Sequence, residues 1–362
     1  MRAFKCLAAV LAVCALMMCL LPLSGCNSGA DVQIALLTDG GSVRGGDLNQ
    51  GAWAGVTAAS EQFGFTPKST VSGAATTEEF LLRISNLYEE GYRVFVLPGI
   101  LFTEALETAQ AQYSDCFFIA VDFTPATVAS NTVCLTYAEE QAAFLAGFAA
   151  AVELREGAFG GIFGMEIPAA QRSSWGFQQG VAYANENYGT SITLAEENFV
   201  YAGSFTDSDL GGRLAAEMYD RGACCIFSSF GKTGTGVITE ARARTAAGET
   251  LWAIGVDGDQ SSVGTYQDAD TAVLTSAVKS VEESVEAVIT QLIEGEFPGG
   301  QTLRFDVSND GVGIPIPEMP EDEDEELSGN LSAETLAAVQ EVYERMKAGE
   351  ITVAVTGEGL IP

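Results

Sequence analysis

Apolar strand-like segments alternate with helix-like segments along almost the whole sequence, and this alternation constrains the fold more than any other feature. Strands are predicted at 32–38, 93–98, 116–121, 158–163, 195–201, 223–228, 251–256 and 271–276. Helical periodicity fills most of the gaps, at 49–63, 76–90, 101–113, 137–154, 168–187, 208–221, 234–247 and 279–294. Because the strands are almost continuously apolar, we expect parallel sheets covered by helices on both faces.

The length of the chain favours two lobes over one wide sheet. At 362 residues it exceeds what one hydrophobic core usually accommodates. We therefore predict an α/β fold of two doubly wound parallel-sheet lobes. The apolar stretch at 142–152 is too short to span a bilayer and is interpreted as a buried core helix. Ligands of such folds bind beyond the carboxyl ends of the strands, which is where the candidate residues below lie.

The first 26 residues have the pattern of a lipoprotein signal. Arg2 and Lys5 precede a long apolar run, which ends in the tetrapeptide LSGC. This tetrapeptide resembles a bacterial lipobox, which implies cleavage before Cys26 and lipidation of its sulfur. The predicted product is anchored in the cell membrane by lipid, on the extracytoplasmic face. An uncleaved anchor and an ordinary signal peptide are the alternatives.

Composition excludes several functional classes. Acidic residues outnumber basic ones 49 to 17, so nucleic acid is not an expected partner, because binding it requires cationic surface. The sequence has no histidine, which removes Ser-His-Asp and Cys-His nucleophilic systems and the usual zinc sites. We predict neither a metal nor a cofactor. The cysteines beyond the signal are expected to be buried free thiols, although a Cys116–Cys134 disulfide is an alternative in an exported protein.

A glycine-rich turn follows the first strand, in the segment LLTDGGSVRGGDLNQGAW at 36–53. Turns of this kind often bind phosphate through backbone N–H groups. These glycines do not fit the dinucleotide-binding spacing, and the nearest P-loop register places Asp47 where a phosphate-binding lysine would stand. Asp39 lies at the mouth of the same turn. Because two carboxylates would repel phosphate, we expect a ligand that donates hydrogen bonds.

Five later segments combine with this turn into the pattern of a known family. They are GMEIPAAQRSSWGFQQGVAYAN at 164–185, YAGSFTDSDLGGRLAAEMYDRGACCIF at 201–227, KTGTGVI at 232–238, WAIGVDGDQ at 252–260 and LTSAVKSV at 274–281. From about residue 32 to 314 the sequence resembles the basic membrane protein family of lipoprotein solute-binding components. PnrA-like members of that family serve ABC transporters for nucleosides.

The resemblance implies lobes of the type I periplasmic-binding kind, joined by a hinge that the chain crosses several times. It predicts a signal peptide at 1–25, a first lobe from 26–137 with about 258–294, and a second lobe from 138–257 with about 295–362. The ligand would be enclosed between the lobes.

The resemblance also implies the residues that contact the ligand. The family's contacts to the edge of a base fall on Asp39, Asn49 and Asp122. Their acceptor groups suit the amino and ring N–H donors of a purine. The contacts to the ribose fall on Asp257 and Lys279, since an aspartate accepts hydrogen bonds from adjacent hydroxyls while a nearby lysine donates.

The sequence departs from the family pattern at the stacking positions. Leu48 stands where nucleoside-binding relatives carry an aromatic residue, and leucine covers a ring without aromatic geometry. We expect Phe227 or Phe230 to supply the second stacking face, beside Gly231 in the segment SSFGKTGTG. The role of Arg172 stays open between ligand contact and a hinge salt bridge.

The predicted function is that of a lipid-anchored solute-binding component of an ABC importer, which captures a nucleoside, expected to be a purine nucleoside, and presents it to a membrane permease. One alternative is the same scaffold holding another neutral ribosyl or ribityl ligand, such as a vitamin. Another is a surface nucleoside hydrolase, although nothing in the sequence marks a nucleophile or a water-activating pair. We therefore expect a binding protein and not an enzyme.

Overall fold

The computed structural model describes residues 32–44, 46–229, 231–268, 270–317 and 329–362. The predicted signal peptide, Cys26, Phe230 and the acidic run at 321–326 lie outside the described residues.

The described chain forms the predicted α/β alternation. The strands are β1 Ile34–Thr38, β2 Lys68–Val71, β3 Val94–Pro98, β4 Phe117–Val121, β5 Thr132–Tyr137, β6 Glu156–Phe163, β7 Ser191–Tyr201, β8 Ala223–Ser229, β9 Trp252–Asp257, β10 Thr265–Gln267, β11 Asp270–Thr271, β12 Val273–Lys279, β13 Gln301–Phe305 and β14 Val312–Gly313. The helices are α1 Leu48–Phe63, α2 Thr77–Glu89, α3 Thr103–Gln112, α4 Glu139–Leu154, α5 Pro168–Asn187, α6 Ser208–Asp220, α7 Gly231–Ala246, α8 Val281–Glu294 and α9 Ala333–Lys347. None of these helices combines the length and the apolar character needed to cross a membrane.

Two six-stranded sheets have the same strand order, one in each lobe. The first runs β13-β5-β4-β3-β1-β2 and the second β14-β12-β9-β8-β6-β7. Every neighbouring pair in these sheets is parallel except β12 with β14, which is antiparallel. Strands β1 and β3 are buried along their whole length, as expected for a sheet covered on both faces. The predicted fold of two doubly wound lobes is confirmed.

The shared strand order makes positions in the two lobes equivalent. Strands β4 and β9 each stand third in their sheet, and β5 and β12 each stand second. The ends of these four strands therefore occupy corresponding positions on the facing edges of the two lobes. This equivalence determines which side chains meet in the cleft.

The chain crosses between the sheets after β5, after β12 and after β13. The expected lobe limits are wrong at two of these crossings. Strand β12, within the segment assigned to the first lobe, pairs with β9 in the second sheet. Strand β13, within the segment assigned to the second lobe, pairs with β5 in the first sheet. Local sequence patterns predict where a strand lies but not which of the two sheets it joins, so the sheet membership of β12 and β13 could not be predicted from them.

Helices α4 and α5 pack backbone to backbone behind the cleft. A Cβ atom on Gly180 would lie 2.0 Å from the carbonyl oxygen of Phe144, and one on Gly176 would lie 2.1 Å from that of Glu140. Only glycine permits so close an approach. Nearly every residue of α4 is buried, so the apolar stretch at 142–152 is the core helix that the sequence predicts.

Candidate functional site

Three aspartates lie at the carboxyl ends of parallel strands and face the cleft between the lobes. Asp39 follows β1, Asp122 follows β4 and Asp257 ends β9. Asp122 and Asp257 occupy equivalent positions in the two sheets, and both have positive φ, 66° and 71°. This backbone region is uncommon for residues other than glycine and is frequent at functional sites. The two lobes thus present matching, conformationally restrained carboxylates to each other.

Lys279, the last residue of β12, joins these carboxylates at the hinge end of the cleft. Its Nζ lies 2.7 Å from Asp122 Oδ2 and 3.0 Å from Asp257 Oδ1, and its side chain is 1% exposed. The ring of Tyr137 lies beneath it, with the centroid 5.8 Å from Nζ. Burial alone would lower the pKa of Lys279, but Asp122, Asp257 and Glu139 together raise it above its usual range, so the lysine stays charged.

The negative charge around Lys279 exceeds the single positive charge it supplies. Burial raises the pKa of Asp122, and Glu139 and Asp257 raise it further, against the lowering effect of Lys279. Glu139 is buried at the start of α4 and accepts a hydrogen bond of 2.7 Å from Arg172 Nε on α5. Arg172 therefore forms the salt bridge that the sequence left open, and it does not line the cleft.

A second polar group lies at the other end of the cleft, around the glycine turn. Asp39 accepts hydrogen bonds from the backbone of Gly41 and from the side chain of Asn49, and burial raises its pKa. A Cβ atom on Gly41 would lie 2.4 Å from Asn49 Nδ2, so glycine is needed for this contact. Asn49 is 8% exposed, and its Oδ1 has no hydrogen-bond partner. A buried acceptor without a partner is costly unless a ligand satisfies it.

Asp47 adds a further carboxylate to the cleft. It caps α1 by accepting a hydrogen bond of 3.2 Å from the backbone N–H of Gln50. Burial raises the pKa of Asp47 to about 6, with a further contribution from the charges of Asp257 and Asp39. The sequence predicts for Asp47 only that it opposes phosphate binding.

Apolar side chains from both lobes form the walls between the two polar ends. The first lobe contributes Leu48, Pro98, Ile100 and Leu101, and the second contributes Ile167, Ala169 and Phe205. The cleft encloses about 810 Å³, including space open to solvent. A flat, partly apolar ligand with polar groups at both ends matches this arrangement.

The structure brings most of the predicted ligand-binding residues together. Those lining the cleft are Asp39, Leu48, Asn49, Asp122, Gly231 and Asp257. Lys279 lies behind the cleft surface and contacts two of these aspartates. Phe230 lies outside the described residues.

Phe227 does not line the cleft, so the prediction of a stacking role for it is wrong. Its side chain is fully buried, stacks on Phe177 at a centroid distance of 5.1 Å and meets Phe163 edge-on. The physical reason is the alternation of side chains along β8, which directs Phe227 into the core two residues before the strand ends.

Among the described residues that line the cleft, Phe205 is the aromatic one, and the sequence patterns do not predict it. It lies in the irregular loop after β7, where no periodicity marks it, although it belongs to the family segment that begins YAGSF. Glycine at position 231 allows this loop to lie close to α7, because a Cβ atom there would lie only 2.5 Å from the carbonyl oxygen of Phe205. Lys232, also missed, lines the cleft and donates a hydrogen bond of 3.2 Å to the carbonyl oxygen of Gly40 in the other lobe.

Two hinged lobes of identical strand order, with a polar-ended cleft between them, define a solute-binding protein of the type I periplasmic-binding class. The chain belongs to the family of PnrA-like ABC transporter substrate-binding proteins, whose pattern it matches over residues 32–346. The predicted family and fold are thereby confirmed, and the protein is the substrate-binding component of an ABC transporter.

Relatives of known description agree with this assignment. The chain is 28% identical over 293 residues to the "ABC transporter nucleoside-binding protein BmpA" of Lactococcus lactis, covering 78% of this chain and 81% of the relative. It is 28% identical over 340 residues to the "CD4+ T-cell-stimulating antigen" of Listeria monocytogenes, covering 90% and 89%. Among solved structures, a solute-binding protein of an ABC transporter system from Aeropyrum pernix superposes with a TM-score of 0.74 at 22% identity, covering 90% of this chain and 94% of that one. This structural likeness concerns the fold alone.

Proposed function

We propose that this protein is a lipid-anchored, extracytoplasmic binding protein that captures a purine nucleoside and delivers it to a membrane permease. The observation that carries the proposal is the spacing of the two polar ends of the cleft. Asp39 and Asp122 follow strands two places apart in one sheet, so the backbone ends of these strands are about 10 Å apart. This distance corresponds to the length of a nucleoside, with the apolar walls between the ends matching the faces of its base.

The glycine-turn end suits the base. Asp39 and the unpartnered Oδ1 of Asn49 are acceptors for the N–H groups along the edge of a purine. Phe205 covers one face of the base by stacking, and Leu48 covers the opposite face by apolar contact. The name of the Lactococcus lactis relative, which describes nucleoside binding, supports the same ligand class.

The hinge end suits the ribose. Its adjacent hydroxyls donate to Asp122 and Asp257, while Lys279, behind the cleft surface, keeps both aspartates in place. The family resemblance implies a contact of Asp122 with the edge of the base, but we assign Asp122 to the ribose because it shares Lys279 with Asp257 at this end of the cleft. A neutral diol supplies O–H donors to a site that contains more carboxylates than cations. The role requires reversible binding and no bond cleavage, so we infer a binding protein without enzymatic activity.

Closure of the lobes is the event that a permease would recognise. The glycine turn of the first lobe meets the loop after β9 so closely that a Cβ atom on Gly258 would lie 2.9 Å from the carbonyl oxygen of Gly46. Lys232 bonds to the same turn. A ligand in the cleft would contact both lobes and stabilise this closed arrangement.

Leu48 stands at a position where nucleoside-binding relatives carry a stacking aromatic residue. A second ligand class is therefore considered, another neutral ribosyl or ribityl compound such as a vitamin. Mass spectrometry of the small molecules released when the purified protein is denatured distinguishes the two classes. We expect the mass of a purine nucleoside. Release of a ribityl compound or of a sugar without a base would contradict the proposed ligand.

Lipid on Cys26 is the proposed anchor. The Cys26→Ala variant should remain unprocessed or leave the membrane, because the lipobox cysteine is the attachment point. Metabolic labelling with a fatty acid, followed by membrane fractionation, measures this directly. A variant that is still labelled and membrane-bound would rule out the proposed anchor.

A further inference from the structure

Lys232 is a charged group in the cleft to which the proposed function gives a role in lobe closure but no contact with the ligand. It lies at the start of α7 in the second lobe, and its side chain is exposed to the cleft. Its Nζ donates to the carbonyl oxygen of Gly40, the residue directly after Asp39.

Asp39 lies between Lys232 and Asn49, the other polar side chain at this end of the cleft, and interacts with both. The carboxylate of Asp39 accepts from the side chain of Asn49 and lies in the field of Lys232, which lowers its pKa against the raising effect of burial. The opposite oxygen of the Asn49 amide, Oδ1, has no partner. The three neighbouring groups therefore offer an acceptor at Asn49, an acceptor at Asp39 and a donor at Lys232.

Purines differ in how well they match this set. Guanine presents two adjacent donors, N2–H and N1–H, followed by the acceptor O6. Hypoxanthine retains N1–H and O6. Adenine presents an amino donor at position 6 and an acceptor at N1, so its amino group would meet the ammonium of Lys232 and its N1 lone pair would meet a carboxylate or amide oxygen.

We propose that Lys232 makes the cleft selective for 6-oxopurine nucleosides by donating a hydrogen bond to O6 while Asp39 accepts from N1–H. This inference rests on the proposed nucleoside function and names the base. An ammonium group has three donors, so Lys232 can keep its bond to Gly40 while it contacts the base. The 6-oxo group would in this way help to join the two lobes, because Lys232 and Asp39 come from opposite sides of the cleft.

The test is calorimetric titration of the ligand-free protein with guanosine, inosine and adenosine. We expect guanosine to bind at least about thirtyfold more tightly than adenosine, with inosine between them, because a site built to hydrogen-bond a polar group rejects an analogue that lacks it. In Lys232→Met the guanosine-to-adenosine ratio should fall at least about tenfold, the loss expected from one hydrogen bond to a charged group.

Lys68→Met is the matched control. Lys68 is a partly exposed lysine on β2 that pairs with Glu90 and lies outside the cleft, so its removal should leave the ratio unchanged. Equal or tighter binding of adenosine by the native protein would overturn the proposal, as would an unchanged ratio in Lys232→Met. Failure of all three nucleosides to bind would instead overturn the proposed function itself.

Discussion

Charge balance around Lys279 explains why this end of the cleft should prefer a neutral donor. Asp122 and Asp257 share one ammonium group, and Glu139 beyond them is paired with Arg172. Asp257 Oδ1 is buried and lies near Lys279 without the geometry of a hydrogen bond. Acceptor capacity therefore remains for a ligand that brings several O–H groups at once. An anionic ligand would add repulsion to a group of buried carboxylates.

The first prediction concerns Asp257→Asn. Asparagine tolerates the φ of 71° at this position, so the backbone should be preserved while the charge is lost. Nucleoside affinity should fall at least tenfold, about 1.4 kcal/mol, because hydrogen bonds to charged groups contribute about 1.5–3 kcal/mol. Asp220→Asn, an exposed site on α6 paired with Arg244, is the control and should bind normally.

Titration with 2′,3′-dideoxyinosine tests the same contact without a mutation. The native protein should bind it at least about tenfold more weakly than inosine, since the missing hydroxyls leave the carboxylates unpaired. Equal affinities for the two compounds would place Asp257 outside the sugar site.

Asp47 is a cleft carboxylate that we expect to reduce the stability of the ligand-free protein, because burial disfavours its charged form. Its pKa is raised to about 6 by burial and by neighbouring carboxylates, whereas in the unfolded chain it titrates near 3.8. A raised folded pKa contributes stability below the unfolded pKa, and that stability is lost as pH rises through the folded pKa. Asp47→Asn should therefore stabilise the protein at pH 8 by roughly 1–2 kcal/mol, allowing for solvent screening.

Urea denaturation at a series of pH values measures this effect. The advantage of Asp47→Asn should shrink between about pH 6 and pH 4, because the native carboxyl becomes protonated in that window. Asparagine also caps helices well, so α1 should stay intact. A stability difference that does not vary with pH would show that the Asp47 charge carries no such cost.

At the scale of secondary-structure elements, the packing of α4 on α5 is the contact most sensitive to side-chain size. Gly180→Val should lower the free energy of unfolding by about 1–3 kcal/mol or more, because the new side chain would overlap the backbone at Phe144. Ala182→Val, two residues along the same helix on its exposed side, controls for the lower helix propensity of valine. Chemical denaturation measures the free energy of unfolding of both variants. Equal values for Gly180→Val and Ala182→Val would contradict the close packing of α4 on α5.

Sequence patterns predicted the long, apolar elements and missed the short or polar ones. Strand β1 is buried throughout and its pattern was unambiguous, whereas β2 reads KSTV with alternating partial exposure, and β13 reads QTLRF with no fully buried residue. Strand β5 is apolar, but it begins only 11 residues after β4 ends, with no helix between them to signal a separate strand. The missed β13 accounts for one of the two wrong lobe limits, and the other arises at β12, which was predicted as a strand but assigned to the wrong sheet.

Candidate site residues were predictable where a motif marks a strand end. Asp39, Asp122 and Asp257 all lie at such ends, because parallel strands point their carboxyl termini toward one edge. Phe205 and Lys232 could not be predicted in this way. Their place in the cleft depends on how an irregular loop and the start of α7 meet across the gap, and that is a property of tertiary structure.

At the scale of the whole molecule, the two lobes act on a ligand from matched sheet edges. Asp122 and Asp257 are equivalent by topology, and each lies at the end of a strand whose neighbour in the sheet, β5 or β12, leads into a crossing between the lobes. Rotation about these crossings would change the distance between the two carboxylates and Lys279. Ligand binding at the hinge end and closure of the mouth are therefore expected to occur together.

The most direct test of nucleoside capture is calorimetric titration of the ligand-free native protein with inosine and with inosine 5′-monophosphate. Four aspartates, Asp39, Asp47, Asp122 and Asp257, line the cleft against one lining lysine, Lys232. Because carboxylates outnumber cations, the nearly two further negative charges of the monophosphate would be repelled by several kcal/mol at an effective dielectric constant near 20. We predict one-to-one binding of inosine at least about a hundredfold tighter than that of the monophosphate. Comparable affinities, or binding of the monophosphate alone, would contradict the account, because the glycine turn would then be a phosphate site.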